Sequence, residues 1–184
     1  MKLVILDRDG VINQDSEQFI KSREEWQPLP GSIEAIARLN RAGFTVVVAT
    51  NQSGLGRGLF TADDLHGMHH KMRTLIASAG GDLGGVYFCP HTPEDNCNCR
   101  KPLPGLLDTI MADLGLDSLA AVPLVGDSIR DLEAGLARGC TPLLVRTGKG
   151  RQAEAALPQH PVLAKTRVFD DLDAVADYLI ADRQ

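Results

Sequence analysis

Near the start of the chain, a short apolar run breaks into two carboxylates and a glycine: Leu3-Val4-Ile5-Leu6-Asp7-Arg8-Asp9-Gly10-Val11-Ile12-Asn13. A run this short, free of Pro and Gly, fits a buried strand of a parallel sheet. Its break at Asp7 puts both acids where that strand leaves the sheet, the edge at which open α/β sheets bind ligands. Alternation along an extended backbone points Asp7 and Asp9 to one side, close enough to share a divalent cation. A carboxylate beside a cation can attack a phosphoryl group while its neighbour moves the proton. The same D-x-D pattern also caps and solvates ordinary loops, so the rest of the chain has to decide between the two.

The pattern that follows alternates strand and helix. Ser32 reads as the N-cap of an amphipathic helix through Ile33, Ile36, Ala37 and Leu39, stopped at Gly43. Thr45-Val46-Val47-Val48-Ala49 is β-branched and uncharged, a central strand running into Thr50-Asn51-Gln52-Ser53-Gly54. Thr61 with Asp63 and Asp64 opens a helix to about residue 79. Strands are expected at Val86-Tyr87-Phe88, Val122 to Val125 and Leu143 to Val145, with an edge strand at Val168-Phe169. Helices are expected from Gly105 to Leu114, from Leu132 to Arg138, and through Leu172 and Leu179 behind an Asp170 or Asp171 cap. Residues 148–165, rich in Gly and Pro signals, read as a long surface connection. This order predicts an α/β fold with a doubly wound parallel sheet and right-handed crossovers, a single domain over 1–184 without a large cap domain. Three strand ends then meet at one edge: Asp7 to Gly10, Thr50 to Gly54, and Gly126 to Asp131.

Composition limits the partner. With 19 Lys and Arg against 24 Asp and Glu, the net charge of −5 disfavours a phosphodiester polymer. Aromatics at 4% leave few platforms for stacking bases. A small substrate is expected, no nucleic acid and no membrane, in a monomer. No signal peptide is visible and no run approaches a membrane span, so the expected location is cytoplasmic. In a reducing compartment the four cysteines read as metal ligands or buried apolar groups. Cys89-Pro90-His91 followed by Cys97-Asn98-Cys99-Arg100-Lys101 supplies three thiolates and one imidazole, the set tetrahedral Zn²⁺ prefers, with no open position left for chemistry. Cys140 lies apart and reads as a core residue.

From end to end the order of motifs resembles the haloacid dehalogenase-like phosphatases. Asp7-Arg8-Asp9-Gly10-Val11 looks like their first motif, Thr50 their second, Lys101 their third, and Gly126-Asp127-Ser128 with Asp131 their fourth. The resemblance implies that Asp7 is the nucleophile and Asp9 the general acid and base. Mg²⁺ would sit among Asp7, the Asp9 backbone carbonyl and Asp127, while Thr50 and the Asn51 amide would hold the phosphoryl oxygens and Lys101 would offset their charge. Asp131 would orient Lys101 or a metal-bound water. The zinc loop at 89–101, ending in Cys-Arg-Lys-Pro, is similar to that of the D-glycero-D-manno-heptose 1,7-bisphosphate 7-phosphatase family, as are Thr-Asn-Gln-Ser-Gly and Asp-Arg-Asp-Gly-Val-Ile-Asn. That likeness implies a phosphorylated sugar substrate on the way to the activated heptose of lipopolysaccharide. It implies contacts from Asp7, Arg8, Asp9, Asp15, Thr50, Asn51, Gln52, Ser53, Arg100 and Lys101. Two departures stand out: Asp15-Ser16-Glu17-Gln18 replaces a Gly-Tyr pair, and the zinc loop is shortened. Three alternatives remain beside it: a histidinol-phosphate phosphatase of the same subfamily, a non-catalytic phosphosugar-binding module, and a nucleic-acid end phosphatase.

Overall fold

The structure, a computed structural model, describes residues 1–182. Six parallel strands form one sheet in the order β3-β2-β1-β4-β5-β6. They are β1 (Lys2–Leu6), β2 (Phe44–Asn51), β3 (Gly85–Cys89), β4 (Pro123–Gly126), β5 (Thr141–Val145) and β6 (Arg167–Phe169). The helices are α1 (Ser32–Arg41), α2 (Ser53–Gly56), α3 (Ala62–Ser78), α4 (Gly105–Leu114), α5 (Ile129–Leu136), α6 (Gly150–Ala156) and α7 (Leu172–Ala181). The chain therefore folds as the doubly wound α/β sheet that its pattern predicts, and no cap domain is evident among the described residues. No helix among them is long and apolar enough to cross a membrane.

Parallel strands need both faces covered. One face buries Val4, Leu6, Val46 and Val48 against Ile36 and Leu39 of α1, Met68 and Met72 of α3, and Val175 of α7. The opposite face buries Ile5, Val47 and Ala49 against Leu107 and Ile110 of α4 and Ala134 of α5. Cys140 packs in that second layer, as expected. The strand order reverses between β1 and β4, which pair through Ile5 with Leu124 and Leu6 with Val125. At such a reversal the two connections leave in opposite directions and open a crevice at the carboxyl edge.

Local signals explain several boundaries. The Thr61 hydroxyl accepts from the Asp64 amide, and Asp64 answers to the Thr61 amide, a reciprocal cap at the start of α3. Asp171, not Asp170, caps α7 through the Ala174 amide. Two expectations are corrected. Ser32 is the first residue of α1 rather than its cap, because Gly31 takes the N-cap position at φ 78°. The Ser32 hydroxyl instead donates to the Ile12 carbonyl at 2.6 Å, tying the helix to the first loop. Residues 148–165 are no plain surface connection either: they form α6 and two short 3-10 turns, with Ala153, Leu157 and Leu163 buried against Leu132 and Leu144.

Candidate active site and metal-ligand clusters

Asp7 follows the last residue of β1, and its amide donates to the Val125 carbonyl, so the first acid is fixed at the reversal point. Asp127 follows β4 directly across from it. Asp7, Asp127 and Asp131 each bring a carboxylate oxygen to within 4.8 Å of the others. Burial, together with the neighbouring charges of Asp131 and Asp9, pushes the Asp7 carboxyl up to about 7 despite the opposing Lys101. Burial and the charges of Asp7 and Asp131 push Asp127 up to about 9. Carboxylates this crowded are in want of a cation, and oxygen donors are what a hard divalent ion takes.

The Asp127 carboxylate is wedged into place. A Cβ on Gly10 would meet its Oδ2 at 2.0 Å, and one on Gly148 at 2.3 Å. Both glycines have positive φ, so neither backbone accepts a side chain without strain. The Lys149 amide donates to the same oxygen at 2.9 Å. Asp131 is committed elsewhere. Its Oδ2 accepts from the Asp127 and Ser128 amides and the Ser128 hydroxyl, and its Oδ1 lies 2.6 Å from Lys101 Nζ. With both oxygens engaged, Asp131 is an anchor for Lys101, and Asp7 and Asp127 are the carboxylates left facing a cation.

Lys101 is 3% exposed and donates to Asp7 at 2.9 Å and to the Ala49 carbonyl at 2.7 Å. Burial works against its charge, but Asp131 and Asp7 outweigh it and hold the ammonium protonated far above the ordinary lysine range. Its backbone is gripped by Asn51, whose side-chain amide donates to the Lys101 carbonyl and whose carbonyl accepts from the Lys101 amide, both at 3.0 Å. The Asp9 carboxylate is turned from the acidic cluster into a cradle of Arg8, Asn13 and Gln52 donors. Burial opposes its charge, yet Arg8 and these hydrogen bonds hold Asp9 below the usual carboxylate range.

A cavity of about 230 Å³ opens over these groups, and it receives Asp7, Asp9, Asp15, Asn51, Gln52, Ser53, Arg100 and Lys101. Two of the residues expected at the substrate lie outside the lining. The Arg8 side chain is fully buried and does not line the cavity. Thr50 is 1% exposed beneath it, its hydroxyl accepting from Gln52 at 2.9 Å. Sequence reasoning missed Arg57, Arg130 and Lys149, which also line the cavity. The guanidinium of Arg100 is held below its ordinary range by burial and by the nearby charges of Arg130 and Arg57. These cations come from segments separate in sequence, Arg130 from the first turn of α5, and no spacing pattern links them. Lys149 also faces Asp15 across the mouth at 3.7 Å.

The second cluster lies behind Lys101. His91 Nδ1 is 3.4 Å from Cys89 Sγ and 3.3 Å from Cys99 Sγ, and Cys89 Sγ is 3.6 Å from Cys97 Sγ. All four cysteines are free of disulfides. Three sulfurs and one nitrogen converging this closely, without a bond between them, form the donor set that zinc takes.

The acidic cluster makes a pH prediction. Asp7 and Asp127 sit above the ordinary 3.8 at about 7 and about 9, so the native chain holds protons that the unfolded chain has released. Stability from those protons is lost as pH rises from 3.8 towards about 9. A bound divalent ion needs both groups ionised, so it binds better as pH rises. Thermal melts with chelator and with Mg²⁺ should show the Mg²⁺-induced rise in Tm larger at about pH 9 than at about pH 6. A rise independent of pH would exclude these carboxylates as the ligands.

A family model described as HAD-hydrolase-like matches residues 98–175, and one described as polynucleotide kinase 3 phosphatase matches residues 2–129. The D-glycero-beta-D-manno-heptose-1,7-bisphosphate 7-phosphatase of Bordetella bronchiseptica is 53% identical over 184 residues, 99% of each chain. The Pseudomonas aeruginosa protein of that name is 53% identical over 97% of each chain. The crystal structure of the B. bronchiseptica D,D-heptose 1,7-bisphosphate phosphatase, complexed with magnesium and phosphate, superposes with a TM-score of 0.93 at 53% identity, covering 99% of both chains. That of Burkholderia thailandensis gives 0.72 at 45% identity, covering 97% of this chain and 99% of the other. The chain thus belongs to the D-glycero-beta-D-manno-heptose-1,7-bisphosphate 7-phosphatase family of the HAD-like phosphatases.

Proposed function

We propose that this protein removes the 7-phosphate of D-glycero-D-manno-heptose 1,7-bisphosphate through a phosphoenzyme on Asp7 and leaves the 1-phosphate in place. The observation that carries the reading is a cavity with two kinds of cation. Lys101 lies against the nucleophile, while Arg57, Arg100 and Arg130 line the same cavity. Lys101 offsets charge on the phosphoryl group in flight. The arginines, which repel one another when nothing lies between them, suit a second phosphate that stays on the sugar. The relatives' names favour the β anomer.

In the first step an Asp7 oxygen bonds to phosphorus, the ester P–O bond breaks, and the proton of Asp9 goes to the leaving sugar oxygen. The arriving phosphate dianion opposes ionisation of Asp9, so the acid takes up its proton with the substrate. In the second step Asp9 takes a proton from water as that water's oxygen bonds to phosphorus and the Asp7–phosphorus bond breaks. Asp7 and Asp127, with the Asp9 backbone carbonyl, would hold Mg²⁺. When bound, that ion neutralises part of the charge between carboxylate and phosphate. Cys89, His91, Cys97 and Cys99 would hold a structural Zn²⁺, which fixes the loop carrying Arg100 and Lys101. Residues 1–184 act in this reading as one domain, a cytoplasmic monomer serving lipopolysaccharide or related glycans. Nucleic acid is disfavoured by the net charge of −5.

The deciding assay compares the α and β heptose bisphosphates with histidinol phosphate, side by side. Higher kcat/KM for the β bisphosphate is expected; equal or better turnover of histidinol phosphate removes the heptose assignment. Arg130→Ala should raise KM for the bisphosphate about tenfold, the loss of one charge-assisted contact, with kcat little changed. An unchanged KM would remove Arg130 from the substrate's far end.

A further inference from the structure

Arg8 is a buried cation that the chemistry above does not use, in a position between the two catalytic acids. Its guanidinium is fully enclosed, and every one of its N–H groups has a partner. Nε and Nη2 donate to Asp9 Oδ1 at 3.3 and 2.9 Å, and Nη2 also to Gln52 Oε1 at 3.3 Å. Nη1 reaches Met68 Sδ at 3.7 Å and His69 Nε2 at 3.2 Å. The last contact fixes a tautomer. Burial, and then the charge of Arg8, hold His69 down at about 3, so its ring is neutral at working pH. Arg8 can only donate, and a neutral ring that accepts at Nε2 carries its proton on Nδ1. The ring is held in turn by α3 and by Phe88, whose centroid lies 6.1 Å away. His69 does not line the cavity.

We infer that His69 is a positioning residue for Asp9: by accepting from Nη1 it locks the Arg8 fork in the one orientation that presents Nε and Nη2 to the Asp9 carboxylate. Without that acceptor, one guanidinium donor is buried unmet. The fork rotates towards another acceptor, and Asp9 loses two of its donors together. This inference rests on the phosphatase reading, in which Asp9 protonates the leaving oxygen.

The proton matters only when the leaving group needs one. A sugar alkoxide does; 4-nitrophenolate does not. On kcat/KM, which reports transfer to Asp7 alone, His69→Leu and His69→Asn should both lose about tenfold for the sugar bisphosphate, part of what a placed general acid contributes. Both should stay within about twofold for 4-nitrophenyl phosphate. Asn keeps a polar side chain too short to reach Arg8, which separates the effect from a change in core polarity. His69→Gln, whose carbonyl can accept, should recover most of the sugar activity, and Asp9→Asn should show the same selectivity, enlarged. Equal losses on both esters, or no loss, would overturn the role of His69 while leaving the phosphatase reading intact, since the unaltered protein would still turn over both. Failure of the unaltered protein on both esters would overturn the two together.

Discussion

Asp7→Asn is expected to lower kcat on the order of 10⁴-fold or more, as removal of a covalent nucleophile does. The variant is nearly isosteric, and Lys101 retains Asp131 and the Ala49 carbonyl, so the fold should hold. Removing one negative charge from a crowded group also relieves repulsion. The metal-free variant should therefore melt higher than the parent above about pH 7, where the parent's Asp7 is ionised. Phosphate-ester binding should survive, measurable by calorimetry with a substrate that is no longer consumed. A labelled phosphoenzyme, trapped by acid quench in the parent, should be missing from the variant. Full turnover in Asp7→Asn would end the covalent scheme.

Cys97→Ser should lose one equivalent of zinc by elemental analysis and destabilise the whole chain. The four donors span residues 89 to 99, so a bound metal would close a short loop, and losing such a cross-link costs about 3 kcal/mol. For a chain of this length that is a fall in Tm of roughly 6–12 °C. The functional effect should be larger than the stability effect suggests, because Cys99 is followed at once by Arg100 and Lys101. With the loop loosened, Lys101 keeps its carboxylates only at the entropic expense of ordering the backbone behind it. KM should rise through Arg100 and kcat fall through Lys101. If zinc is absent from the purified parent, or if Cys97→Ser melts with it, the metal has no structural part.

Much of this architecture was open to reading from the residues because local and global preferences agree. The uncharged β-branched run at Thr45 to Val48 could hardly be anything but a central strand, and Thr61 with Asp64 caps α3 as such pairs do. Where the reading failed, a distant partner had overridden a local cue. Ser32 has a good cap's side chain, yet its hydroxyl is engaged by Ile12, twenty positions back. The α6 segment has weak helical signals and is held by its burial against Leu132 and Leu144. The family likeness implies a substrate contact for Arg8, whose side chain is fully buried. The same alternation that joins Asp7 to Asp9 turns Arg8 the other way, so that signal was available. Arg100 was legible through the Cys-Arg-Lys-Pro motif, but Arg57 and Arg130 carried no signal, because only the closed fold brings them to the same opening.

The strand order has a consequence for how the protein comes into being. Asp7, Asn51 and Lys101 are all made before β4, but Asp127, Asp131 and the glycine at 148 that wedges Asp127 come after it. A chain that has reached Lys101 but not β4 has β1 with one flank unpaired and Lys101 without Asp131. Without β4 and the turn after it, Asp7 is the sole member of the carboxylate cluster in place, so the arrangement at the strand ends needs the second half of the sheet.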